Sequence, residues 1–345
     1  MRVAAVWWQI SFVGGSDASE FRRLSTGAAT ARETVHRSWR CRQIGVFGSD
    51  NWGMKTFSIP PHLSPGGVVS TRVLRRAGYS YRDIRLLHLS GDLPEHLREG
   101  WWATSGADTD VVSAVRAGGV LTCVSALARL GVYRPLNDDC LHVRASRGRV
   151  EGNTLKNCSP GRRPAPVVAV DHPLVAARAA IGCLDVENAV AVLDSMVNLH
   201  IVTAAELGEA LADTARGRDL LRRRGLADSG QESLVRVRLR ALGLTVRSQI
   251  HITGVGKVDL VVGERLVVEV DSKAHHTRLE NYRNDRRRDR ALVAMGYRVL
   301  RITWEEVMFG WEEVEQQILA IVRRGDHRWP RNRPGTGRGG ARVAG

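Results

Sequence analysis

Apolar and polar positions alternate most regularly in the last third of the chain. QESLVRVRLRALG (231–243) has the spacing of an amphipathic helix and ends at Gly243. LTVRSQIHI (244–252) alternates as a strand, and KVDLVV (257–262) and RLVVEV (265–270) form a hairpin around Gly263 and Glu264. DRRRDRALVAMG (285–296) is then a helix closed at Gly296, YRVLRITW (297–304) a strand, and EEVMFGWEEVEQQILAIVRR (305–324) a final helix. Helix, three strands, helix, strand is the order of a mixed α/β (α+β) domain over residues 226–324.

Upstream the pattern is more helical. Residues 1–53 keep neither period and are expected to pack poorly, with the functional product beginning near Met54. STRVLRRAGYSYRDIRLLHLSGDLPEHLREGWWAT (70–104) predicts two short helices, introduced by Ser70 and Ser80 and closed by Gly78 and Gly91. A small basic hairpin follows, so the segment looks like a winged helix. DVVSAVRAGGVLTCVSALARLGVYRP (110–135) predicts two more helices broken at Gly118 and Gly119. Residues 54–150 are therefore read as one mostly helical domain. Residues 151–165 are a turn-rich linker, and 166–225 form a strand, PVVAV, followed by a helical connector. Within the connector Thr203 and Glu206 have the spacing of a capping box. Residues 325–345 mix Pro, Gly and Arg and read as a disordered basic tail.

Composition adds a partner. The chain has 345 residues and a formal charge of +15, carried by Arg far more than Lys, which suits phosphate recognition and makes nucleic acid the leading partner. The five cysteines (41, 123, 140, 158 and 183) are odd in number, widely spaced and never in a C-x-x-C arrangement, so neither a disulfide framework nor a zinc ribbon is indicated. No apolar run reaches the length of a membrane span and no export signal is read, so a cytoplasmic location is expected.

Three carboxylates interrupt the Val-rich hairpin: Asp259, Glu269 and Asp271. Glu269 and Asp271 are two apart and project to one face. A three-residue turn, Gly263–Arg265, pairs Val262 with Leu266 and sets Asp259 opposite Glu269; a two-residue turn sets it opposite Val268, on the wrong face. The first register is the one expected. Carboxylates crowded in a desolvated strand pair need a cation, and Mg²⁺ (or Mn²⁺), held by one or two of them with water and substrate phosphate, answers that need. Arg283, Arg286, Arg287, Arg288 and Arg290 make the following helix strongly basic, as phosphate contacts to DNA require.

Two resemblances sharpen these expectations. Residues 60–150, including GGVLTCVSALARLG, resemble the N-terminal domain of AbiEi-like antitoxins of abortive-infection systems, with Trp101 and Trp102 replacing the usual Gly-Val-Tyr end of the wing. Residues 230–308 resemble a small domain family related to the very-short-patch-repair endonucleases, a branch of the PD-(D/E)XK nucleases. Glu232, Gln249, Val258-Asp259, Glu269-Val270-Asp271, His275-His276, Asp285, Arg290 and GYRVLR (296–301) carry that likeness. It implies a restriction-endonuclease-like αβββαβ core in which Asp259 and Glu269 bind metal and Glu232 is a more distant metal or orienting ligand. Asp271 stands where the general pattern has Lys, which brings His275 and His276 forward for proton or metal work, ahead of Lys273; Ser272 replaces a usual Gly.

The reading is a metal-dependent DNA endonuclease positioned by the N-terminal module. The alternative is a DNA-binding, antitoxin-like regulator whose nuclease fold is catalytically inactive. A toxin-like or homo-oligomeric partner is compatible with either.

Overall fold

The computed structural model describes residues 59–145, 152, 154–159, 166–271 and 279–330, without the side chains of 279–285. The chain divides into units 1–55 and 56–345, and every element below belongs to the second. The expected N-terminal extension, most of the linker, His275, His276, Ser272, Lys273, the side chains of Arg283 and Asp285, and residues 331–345 lie outside the described residues.

The first sheet is β1 (Val68–Ser70), β3 (Trp101–Ala103) and β2 (Glu95–Arg98), in that order, with helices α1 (Thr71–Arg76) and α2 (Tyr81–Leu89) between β1 and β2. Both serine caps form as the sequence predicts: Ser70 Oγ accepts from Val73 N–H, and Ser80 and Asp83 make a reciprocal capping box. α3 (Thr109–Arg116) and α4 (Cys123–Ala128) flank β4 (Gly119–Leu121), which pairs antiparallel with β5 (Leu141–Ala145); β6 (Leu155–Asn157) adds in parallel. This part is less helical than the sequence suggests, because three-residue strands are shorter than any window in which a period of two is recognisable. Gly119 is required there: a Cβ would lie 2.3 Å from Val143 Cγ1 and 2.6 Å from the Arg144 carbonyl oxygen.

PVVAV does not form a strand. Only Val170 bridges Leu121, since Pro166 has no N–H to donate and Pro173 already opens the next helix. The connector is four helices: α5 (Pro173–Cys183), α6 (Val186–Asn198), α7 (Ala204–Leu211) and α8 (Ala215–Arg223), with the capping box at Thr203 and Glu206 in place.

α9 (Gly230–Ala241) leads into the second sheet, ordered β10–β9–β8–β7: β7 (Val246–Ile252), β8 (Gly256–Val262) and β9 (Leu266–Asp271) are antiparallel neighbours, and β10 (Arg298–Thr303) lies parallel to β9 after the crossover through α10 (Leu279–Ala294). α11 (Trp304–Phe309) and α12 (Trp311–Arg323) close the domain; the single final helix expected from the sequence breaks at Gly310, and Trp304 begins α11 instead of ending the strand. Helices cover both sheet faces. Leu260, Val262, Leu266, Val268 and Ile302 pack with Leu234, Val235 and Leu239 of α9 and with Val307, Val314 and Ile318, while Val261 and Val267 pack with Leu292 of α10. This is why β8 and β9 read as near-continuous apolar runs.

α6 and α9 are joined through a buried polar knot. The Arg236 guanidinium, fully buried, donates to Asp194 at 2.5 Å, and Ser233 Oγ and the Gly225 N–H donate to the same carboxylate. The expected tail is not free from residue 325 onward: the His327 carbonyl accepts from the Glu264 and Arg265 N–H groups, and Trp329 N–H donates to Glu264, so the chain docks on the β8–β9 turn. Among the described residues no helix is long and apolar enough to cross a membrane.

Candidate active site

The turn between β8 and β9 sets the site. Val262 pairs with Leu266, Val261 with Val267 and Leu260 with Val268, the register of a three-residue turn. Gly263, at φ 64°, takes the left-handed conformation that the turn needs. The same register places Asp259 across from Glu269, on the face that Val261 and Val267 present to α10. Here the pairing opens: Asp259 Oδ2 accepts from the Val270 N–H at 2.9 Å, so the carboxylate is anchored to the neighbouring strand at the point where a ladder bond is given up.

Glu232 enters from the first turn of α9. Its buried carboxylate accepts from the Asp228 N–H at 2.8 Å and from Gln249 Nε2 at 2.5 Å. Gln249 lies opposite Asp259 in the β7–β8 register but at φ 56°, a left-handed kink within a strand, which aims its amide at Glu232. The other amide atom, Oε1, is buried and has no partner among the described residues.

The electrostatics follow from burial. Loss of solvent, reinforced by the Asp259 charge, pushes Glu269 up to about 7, and the same two causes in the same order push Glu232 up to about 7. Asp259 is raised chiefly by burial. The nearest compensating charge is Arg288 on α10, whose Nη2 lies 3.4 Å from Glu269 Oε1 and also donates to the Lys257 carbonyl at 2.5 Å.

Two further side chains of the expected site take part in ion pairs here. Asp271 shares a face with Glu269, but at the strand end it is drawn to Arg301 of β10, at 3.0 Å, and Arg301 in turn grips Asp289 with two hydrogen bonds. It is thereby held in an ion-pair network with Arg301 and Asp289. Arg288 lies against Glu269, where a buried carboxylate offers it a charge-assisted partner. Arg286, Arg287 and Arg290 are exposed on the outer side of α10. The inward turn of Arg288 and the kink at Gln249 carry no local signal in an Arg-rich helix or an alternating strand.

Chemically, Asp259, Glu269 and Glu232 are hard oxygen donors stacked in a desolvated corner with one arginine against them. The partnerless Gln249 Oε1 adds a neutral oxygen beside them. Among the described residues, the group whose ligand atoms all lie within 4.8 Å of one another is elsewhere and does not include these carboxylates.

A restriction endonuclease-like family model, REase_MTES_1575, matches residues 231–322, from the first turn of α9 to the last turn of α12. The C-terminal domain is therefore restriction-endonuclease-like, and Glu232, Gln249, Asp259, Glu269 and Arg288 all fall within the matched span. No curated protein and no solved structure matches the chain.

Proposed function

We propose that the chain is a metal-dependent DNA endonuclease that hydrolyses phosphodiester bonds. The observation that carries this reading is the half-buried Asp259 and the buried Glu269, which the register of a three-residue turn sets on one face of adjacent strands inside the restriction-endonuclease-like domain. Asp259 and Glu269 would hold Mg²⁺ or Mn²⁺, which when bound supplies the Lewis acidity that phosphodiester hydrolysis requires. Glu232 fixes Gln249, and through it the wall of the pocket; a carboxylate whose proton affinity sits near neutrality is also suited to taking a proton from an attacking water. Arg288 neutralises Glu269 before substrate binds and is placed to meet a phosphate afterwards. His275 and His276 come a few residues after β9 in the sequence and are proposed to border the same pocket, while Arg286, Arg287 and Arg290 grip the backbone of the duplex.

The N-terminal part supports a DNA-positioning role. α1 and α2 expose Arg72, Arg75, Arg76, Arg82, Arg85 and Tyr81, and a groove of about 800 Å³ is lined by Arg72, Arg75, Arg76 and Tyr81. With the β2–β3 hairpin behind them, this is the layout expected of a winged helix.

The test uses the full chain on supercoiled plasmid with Mg²⁺ or Mn²⁺, against chelator. Nicking that requires metal and is lost in both Asp259→Asn and Glu269→Gln, with duplex affinity retained, supports the proposal. A specific observation favours the second reading, an antitoxin-like regulator on an inactive nuclease fold: Arg288 already compensates Glu269, and Asp271, where the nuclease pattern has Lys, is paired with Arg301. Tight DNA binding without cleavage in either metal, or equal cleavage by the parent and both variants, would replace the endonuclease with the regulator.

A further inference from the structure

Far along the chain from the carboxylates, four residues meet that share no local motif. Cys123 opens α4, His142 lies on β5, Cys158 follows β6, and Cys183 ends α5. Their three sulfurs and one ring nitrogen all lie within 4.8 Å of one another. Cys158 Sγ is 3.4 Å from Cys183 Sγ and 3.2 Å from His142 Nδ1, and Cys183 Sγ is 3.6 Å from the same nitrogen. A tetrahedral zinc with bonds of about 2.3 Å to sulfur and about 2.0 Å to nitrogen has sulfur–sulfur edges near 3.8 Å and sulfur–nitrogen edges near 3.5 Å. The three edges among Cys158, Cys183 and His142 fall within about 0.4 Å of those values, and the edges to Cys123 are at most 4.8 Å.

The surroundings match as well. His142 is fully buried, and with Nδ1 facing the sulfurs its Nε2 lies 2.8 Å from Asp138 Oδ1. A carboxylate behind the far nitrogen is the usual support of a zinc-bound imidazole, fixing its tautomer and ring orientation. Cys123 is held at φ 52°, in the left-handed region, although it is not glycine. The cluster sits in the main core, among Val143, Val124 and Ala180, where three thiols and an imidazole have little else to bind.

We propose that Cys123, His142, Cys158 and Cys183 form a closed Cys₃His zinc site that serves structure and not catalysis. Four protein ligands leave no open position for substrate. On binding, three S–Zn bonds and one N–Zn bond form, the three thiol protons pass to solvent, and His142 ligates as the neutral ring. The net charge of −1 is offset by Lys156, which lies beside Cys183. The ion ties α4, β5, the strand-edge segment after β6 and α5 into one block, joining the N-terminal sheets to the helical connector across the intervening linker.

The full chain, purified reduced and without chelator, should carry about one zinc per chain by elemental analysis. Cobalt added to the stripped protein should give thiolate-to-cobalt charge transfer and a tetrahedral ligand-field spectrum. Cys123, Cys158 and Cys183 should resist alkylation until zinc is removed, while Cys140, outside the cluster, reacts. Cys158→Ser and Cys183→Ser should lose the metal. If they also fail to fold, His142→Cys decides: it should retain zinc as a four-sulfur site, whereas a merely packed histidine gives no reason for it to. Absence of stoichiometric zinc together with no tetrahedral cobalt spectrum, iron in its place, a Cys158–Cys183 disulfide in the reduced preparation, or metal lost equally in Cys140→Ser would overturn the assignment.

Discussion

Glu269→Gln isolates the energetic strain of the carboxylate cluster. In the folded chain burial and Asp259 push Glu269 from its ordinary 4.5 up to about 7. An acid whose affinity for protons rises on folding destabilises the fold once it must ionise. Below about 4.5 both states are protonated and nothing is lost; between there and about 7 the unfolded chain sheds a proton that the folded chain keeps; above 7 the penalty is complete. At about 1.4 kcal/mol per pH unit this amounts to on the order of 3 kcal/mol for metal-free protein. Glu269 is 7% exposed, so solvent screens little of it. Gln keeps the shape and removes the charge. Urea unfolding in chelator should therefore give a parent that loses stability relative to Glu269→Gln as pH rises from 5 to 8, with the curves running parallel above that. Burial of the amide adds a constant offset, which is why the slope is the readout. Mg²⁺ should restore the parent at pH 8 and do little for the variant. A stability difference that is flat from pH 5 to 8 would refute the reasoning, because it would mean that Glu269 is not ionising against its surroundings.

Replacing Arg286, Arg287 and Arg290 together by Ala should flatten the dependence of duplex affinity on salt by as much as about three in the logarithmic slope, one for each phosphate contact, measured by fluorescence anisotropy between about 50 and 200 mM salt; Arg288→Ala should change that slope less, since Arg288 faces Glu269. Asp194→Ala leaves the Arg236 charge buried and without its carboxylate, so it should cost about 3–5 kcal/mol in denaturant unfolding, far more than loss of an exposed pair such as Arg222–Asp219. Gly263→Ala puts a Cβ at φ 64° and 2.6 Å from His327 Cδ2; a lowered melting temperature and earlier proteolysis after residue 324 should accompany the loss of docking at the turn.

How much was legible in the sequence can be judged residue by residue. Strand alternation and the Val-rich runs were enough to order β7, β8 and β9 and to place helices before and after them. The sequence left a two- or a three-residue turn open; with the three-residue turn expected, Asp259 falls on the face of Glu269, because side chains along a strand alternate with a period of two. Ser70, Ser80 and Thr203 announced their helices through caps that depend only on residues three apart. All of these are local rules, and local rules are written in consecutive residues.

Tertiary structure decided what consecutive residues cannot encode. Arg288 and its neighbours look alike in the sequence, and only the position of α10 over the sheet turns one of them onto Glu269. Asp271 has the spacing of a third ligand, and only the parallel strand β10 brings Arg301 beside it. PVVAV has the composition of a strand but finds room for a single bridge. The cysteines are the clearest case: Cys123, Cys158 and Cys183 are too far apart in the chain to suggest a site, and His142 carries no mark at all. They meet because a helix start, a strand, a strand edge and a helix end are packed around one core, and convergence of that kind is a property of the packing and not of any segment within it.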